Sequence, residues 1–144
     1  MKYAFISSTI ALATLLAGCS VTRDILPQQS VPEDLYLRGV FNWWEADEAY
    51  RLSASDKAIF STTAELIADG QPYDFRFADK DWSPGANCGY ENATDQSISL
   101  NQVVIADCDS ENNHFQFTPP KTDTYRFSID FSEPSQPKVT VTKA

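Results

Sequence analysis

Residues 124–131 read TYRFSIDF, which sets Tyr125, Phe127, Ile129 and Phe131 at every second position with Arg126, Ser128 and Asp130 between them. Successive side chains of a strand point to opposite faces, so strict alternation marks a strand with one face buried. An amphipathic helix would need apolar residues at i, i+3, i+4 and i+7 instead. The same period extends outward from this stretch. Downstream, Val139 and Val141 alternate against Lys138, Thr140 and Thr142; upstream, Tyr73, Phe75 and Phe77 alternate against Asp74 and Arg76. Further back, Phe60, Thr62, Ala64 and Leu66 alternate, and Leu35, Leu37 and Phe41 share one side with Gly39 between them. Shorter candidates lie at 49–53, 98–105 and 113–118, while the stretch nearest to a helix, around 44–50, is too short to be one. With turn signals such as Asp69-Gly70 and Pro119-Pro120, the chain is expected to be all-β, with seven or eight short antiparallel strands forming a two-sheet β-sandwich. Segment 79–97, rich in Asp, Asn, Gly and Ser, reads as a long irregular loop, the kind of segment that often carries function.

The N-terminus follows a different logic. Lys2 is the only charge in the first 18 residues, and an apolar run from Tyr3 to Leu16 follows it. That run is shorter than the roughly 20 apolar residues that cross a bilayer; with its charged start and small-residue end it reads as a secretory signal. The ending Leu16-Ala17-Gly18-Cys19 resembles the lipobox of bacterial lipoproteins. The resemblance implies cleavage before Cys19 and acylation of that residue; the alternative is an ordinary signal peptide with a chance cysteine. Three segments result: a signal at 1–18, a lipidated tether at 19–33 with two prolines, and a domain at 34–144. Ser20 follows the Cys, and resemblance to enteric-type lipoproteins with Ser there implies an outer-membrane location in the cell envelope.

The formal charge is −9 for the whole chain, or −10 once Lys2 is removed with the signal. An acidic chain without a basic cluster argues against nucleic acid and against direct binding to anionic lipid. With Cys19 acylated, Cys88 and Cys108 remain. Outside the cytoplasm an even pair is expected to form a disulfide, worth about 3 kcal/mol for a loop of this length in the chain-entropy model. The rival assignment, a pair of metal ligands, needs further ligands, and His114 is the single histidine. Catalysis has little support. Any Ser-His or Cys-His device must use His114, which stands at the start of an alternating segment and reads as a strand-edge residue. Neither Asp79 nor Asp107 opens an EF-hand loop, because Pro84 and Asn112 stand where Gly is required and Tyr90 and Thr118 where Glu is required. An irregular calcium site built from loop oxygens stays open. No catalytic residue, resident metal or cofactor is expected.

The three tryptophans depart from the alternating core pattern. Trp43 and Trp44 are adjacent, so in extended chain at most one faces the core, and Trp82 lies in the polar segment ADKDWSPGANCG. Exposed indole area is unfavourable unless something covers it. A sugar suits such a platform, since the C–H face of a pyranose stacks on indole while its hydroxyls seek polar side chains. The alternative is that one Trp, Trp43 first, plugs the end of the sandwich.

Two stretches, LYLRGVFNWWEADEAYRL and TTAELIADGQPYDFRFADKDWS, resemble the starch- and glycogen-binding modules of pullulanases and of the AMP-activated kinase β subunit. The shared pattern is G-x-F-N-x-W, here Gly39 to Trp44, then Phe75-Arg76-Phe77, then Trp82, then the pair Asn112-Asn113. The resemblance covers residues 34–143. It implies an immunoglobulin-like sandwich and a sugar site made of Trp44, Arg76, Trp82 and Asn112. Arg76 stands where the kinase domain has Lys, and the Cys-containing loop is a further departure. The resemblance therefore implies an α-glucan ligand without catalysis, or, as in some pullulanase modules, a structural role in docking an envelope enzyme or complex.

Overall fold

The computed structural model describes residues 30–144. The signal, Cys19 and the tether before residue 30 lie outside the described residues.

Nine antiparallel strands build the domain: β1 (Tyr36–Gly39), β2 (Ser53–Ala54), β3 (Ile59–Leu66), β4 (Tyr73–Ala78), β5 (Asn87–Tyr90), β6 (Val103–Asp107), β7 (Phe115–Phe117), β8 (Asp123–Asp130) and β9 (Lys138–Lys143). Three short 3₁₀ turns, at Val40–Asn42, Glu48–Tyr50 and Ala93–Asp95, are the helical elements among the described residues. One layer holds β1, β4, β5 and β7; the other runs β2-β3-β8-β9-β6. The layers are joined where β5 pairs β6, through Gly89↔Asp107 and Tyr90↔Ala106. On the opposite side Tyr36 bridges Arg51, so the curled sheet nearly closes on itself. This is a β-sandwich, as the alternation predicts, and of the immunoglobulin-like kind that the resemblance implies.

The core forms where the two alternating sets meet. Leu37, Phe75, Phe77, Phe115 and Phe117 face Leu66, Phe127, Ile129, Val139 and Val141, and all ten are essentially inaccessible. Phe75 stacks on Phe115 at 5.4 Å and meets Phe127 of the other layer edge-on at 4.9 Å. Each fully buried side chain of this size contributes about 1.5–3 kcal/mol. The longest ladder, β3 with β8, runs from Ile59↔Asp130 to Leu66↔Asp123 and fixes which face of TYRFSIDF turns inward.

Four boundaries differ from the sequence expectation. Phe41 is not on β1; it sits in the 3₁₀ turn after it and folds back on Tyr50, Tyr73 and Phe127. Residues 49–53 hold the end of a 3₁₀ turn and the first residue of the two-residue β2, and β6 starts at Val103 rather than 98. Segment 79–97 is not one irregular loop. It contains β5, whose NCGY sequence is too short to show a period, and this strand raises the total to nine. Gly89 allows that strand to approach its neighbour: a Cβ there would stand 1.6 Å from the Asn113 carbonyl oxygen. Cys88 and Cys108 are joined in a buried disulfide, as expected for an exported pair.

Candidate functional site

The outer face of the β1–β4 pair carries two arginines side by side. Pairing sets Arg38 opposite Arg76 and Leu37 opposite Phe77; because Leu37 and Phe77 fill the core, both arginines leave the sheet on its far side. Neither reaches the surface, with exposures of 6% and 3%. Arg76 thus points away from the core, as its alternation requires, but it lies beneath the connecting loops rather than at a rim. Like charges directly opposite on a sheet disfavour each other. Burial pulls both guanidinium groups down from their usual range, opposed for Arg38 by the Glu45 and Asp79 carboxylates and for Arg76 by Asp107.

Carbonyl oxygens offset this cost. Arg38 Nε donates to the Trp44 carbonyl at 2.6 Å, and Nη1 donates to the Asp79 and Lys80 carbonyls at 2.8 and 3.3 Å. Its guanidinium carbon lies 3.6 Å from the centroid of the Trp82 ring, a cation–π stack. One side chain therefore holds both tryptophan-bearing loops. Arg76 Nη2 donates to the Asn87 and Ser110 carbonyls and to Ser110 Oγ. These two acceptor segments are the ones the disulfide joins, since Asn87 precedes Cys88 and Ser110 lies two residues past Cys108.

The first loop is shaped from below. Gly39 is needed because a Cβ would meet the Asp74 carbonyl oxygen at 2.5 Å and the Phe41 ring at 2.7 Å. Buried Asn42 accepts from the Gly39 amide through Oδ1 and donates through Nδ2 to the Leu37 and Glu45 carbonyls. The Trp44 amide donates back to Gly39 O at 2.9 Å. Thus Gly39, Phe41 and Asn42 of the motif build a pinned turn, and Trp44 is what the turn presents. Trp43, Trp44 and Trp82 all adopt left-handed backbone, with φ of 55°, 61° and 56°. Such a conformation costs a bulky residue on the order of 1–3 kcal/mol and persists where the surroundings impose it.

The second loop is closed by Asp79. Its carboxylate accepts from the amides of Asp81 and Ser83, while the Ala86 amide donates to Ser83 O. Burial alone would raise the Asp79 carboxyl; hydrogen bonds from the Ser83 hydroxyl and the amides of Ser83, Asp81 and Trp82 outweigh it and hold the group below its usual range.

These loops surround a depression of about 530 Å³ lined by Trp44, Arg76, Trp82, Asn87, Glu111, Asn112 and His114. All four residues proposed from the sequence for a sugar site line this one cavity. Trp44 is half-buried and Trp82 is 37% exposed. Of the Asn pair, Asn113 is structural, its amide donating to Tyr90 O and its carbonyl accepting from the Tyr90 amide, which leaves Asn112 exposed on the cavity. Trp43 does not plug the sandwich; it is 87% exposed. Arg76 Nε and Nη1 and Asn87 Oδ1 are buried and have no hydrogen-bond partner among the described residues.

Four contributors were not foreseen. His114, expected at a strand edge, turns its ring edge-on to Trp44 at 5.7 Å, with Nε2 3.5 Å from Asp74 Oδ2. Glu111 and Asn87 complete the lining, and Asn87 was hidden in the segment read as loop. Arg38 stands beneath both tryptophans, and only the β1–β4 register reveals that it neighbours Arg76. A larger depression of about 700 Å³, between residues 31–35 and 51–54, brings no tryptophan or histidine together. Among the described residues no group of three His, Cys, Asp or Glu is arranged to hold a metal ion.

The chain is similar to the ligand-induced structure of AmyP-SBD: the likeness covers 100% of this chain and 97% of that one, with a TM-score of 0.58 and 14% sequence identity. At that identity the likeness establishes a common fold. No family model and no curated protein matches the chain.

Proposed function

We propose that this chain is a non-catalytic, lipid-anchored envelope protein that binds α-glucan oligosaccharides of the starch or glycogen type. The observation that carries the proposal is the convergence of Trp44, Trp82, Arg76 and Asn112 on one open depression. Two partly exposed indoles offer stacking faces, and the Asn112 amide offers a donor and an acceptor for hydroxyls. Glu111, Asn112 and His114 give the lining the polar character that a hydroxyl-rich ligand requires. The sandwich fold shared with AmyP-SBD, a starch-binding domain, agrees with this reading. Partial exposure of both tryptophans favours it over a purely structural docking role, for which both would be buried.

The test is retention of the purified domain on starch, comparing Trp44→Ala, Trp82→Ala and Asn112→Ala with wild type after confirming that each is folded. If a tryptophan contributes about 2 kcal/mol, its removal weakens binding roughly 30-fold, with a smaller loss for Asn112. Unchanged retention in both Trp variants removes this site, and absence of wild-type retention on any α-glucan favours docking to an envelope protein. Anchoring is tested separately. Cys19→Ala should leave precursor unprocessed and abolish fractionation with membranes, the outer membrane being the expected fraction.

A further inference from the structure

We infer that Trp43 is a second sugar-stacking surface, outside the cavity, which makes the protein select extended glucan chains over short oligosaccharides. The inference rests on the glucan-binding reading of the Trp44–Trp82 cavity and names the form of ligand that the site takes.

Trp43 is the most exposed large apolar residue among those described, at 87%. Single exposed apolar residues are ordinary, but Trp43 is held in place. The turn beneath it is tied by the three Asn42 hydrogen bonds and by Trp44 N to Gly39 O, and its backbone is left-handed at φ 55°. Presenting an indole on a rigid turn lowers the ordering cost of any partner that stacks on it. Val40, 45% exposed, adds apolar area on the same turn.

Trp43 does not line the cavity, whereas its neighbour Trp44 does. Consecutive Cα atoms are about 3.8 Å apart, so the two indoles leave the turn from almost one point, Trp44 lining the cavity and Trp43 exposed to solvent. The cavity, about 530 Å³, is of a size that encloses a small-molecule ligand. A polymer must leave it. A chain leaving over Trp44 lies against Trp43, so affinity rises once the glucan is long enough to reach that ring. A short oligosaccharide occupies the cavity alone and is indifferent to residue 43.

The experiment measures affinity for maltose, longer malto-oligosaccharides and amylose with wild type, Trp43→Ala and Trp43→Phe. Wild-type affinity should rise with chain length. Trp43→Ala should match wild type within about twofold on the shortest bound sugar and fall about tenfold short on amylose, with Trp43→Phe between them. Because the side chain is exposed, these substitutions leave the core intact, and equal binding of the short sugar verifies the fold. Equal affinity of Trp43→Ala and wild type at every length overturns this inference and leaves the cavity in place. Failure of wild type to bind any of the sugars overturns both.

Discussion

Arg38→Met separates the support of the site from its contact surface. Arg38 does not line the cavity, yet it touches both loops that do. Methionine keeps the unbranched stem and deletes the guanidinium. The bonds to Trp44 O and Asp79 O, at 2.6 and 2.8 Å, are charge-assisted and contribute at least about 1.5 kcal/mol each. The third, at 3.3 Å, shares Nη1 and adds little. The stack on Trp82 contributes about 1 kcal/mol. Two effects oppose this loss: the buried repulsion from Arg76 disappears, and freed carbonyls in surface loops recover water. The expected net loss is about 2 kcal/mol, which for a domain of this size lowers the melting temperature by about 8 °C. Starch affinity should fall about tenfold, because the loops must then be ordered by the ligand. Arg38→Lys retains charge but cannot reach three carbonyls and stack in one pose, so it should restore only part of the affinity. Differential scanning fluorimetry and affinity electrophoresis in starch-containing gels read the two effects. An Arg38→Met protein that melts and binds like wild type would refute the reasoning.

Three further outcomes follow from the packing. Gly89→Ala forces a Cβ into the Asn113 carbonyl and should cost about 3 kcal/mol in urea unfolding, against about 1 kcal/mol for Gly85→Ala, where φ is +80° but the space is open; equal costs would contradict the close approach of β5. Replacing Cys88 and Cys108 by Ala should cost about 3 kcal/mol and weaken starch binding by loosening the acceptors of Arg76, whereas two titratable thiols in the unfolded, unreduced domain would disprove the bridge. The Asp79 carboxyl is held below its usual value of 3.8, so its contribution is complete above that pH and is lost as pH falls through the folded-state value. Asp123, bonded by Lys143, and Asp130, bonded by the Ser132 hydroxyl, are lowered in the same direction. The melting temperature should therefore drop as pH falls below about 4, less steeply in Asp79→Asn, and a pH-independent midpoint in that acid range would exclude this linkage.

The strands that could be read from sequence were those whose two faces differ. TYRFSIDF and KVTVT alternate because one side meets the core and the other water, and burial follows that alternation; in YDFRF the phenylalanines take the core face, while Arg76 on the other face is buried as well. β5 has no such contrast: three of its four residues are buried, and its place is set by Gly89 and by the disulfide rather than by a period. Phe41 is apolar in the right phase, yet Asn42 makes the chain turn before it. At the cavity, Trp44, Trp82, Arg76 and Asn112 could be named from an ordered pattern. Arg38 could not, because its role depends on lying across β1–β4 from Arg76, a long-range register invisible along the chain. His114 and Asn87 were missed for a related reason: each is placed by a strand edge whose partner is distant in sequence.

The burial of Arg38 and Arg76 also bears on how a ligand approaches. The chain carries a formal charge of −9, and two of its eleven cations are withdrawn beneath the loops of the cavity. An incoming polymer therefore meets a negative field before it meets any guanidinium. At physiological ionic strength that field extends about 8 Å, far enough to repel a uronate or sulfated glycan before contact while leaving a neutral chain unhindered. The cations act at hydrogen-bond range and not as long-range attractors. If the chain binds glucan as proposed, it should therefore discriminate against anionic polysaccharides, and raising the salt concentration should weaken that discrimination without altering the affinity for a neutral chain.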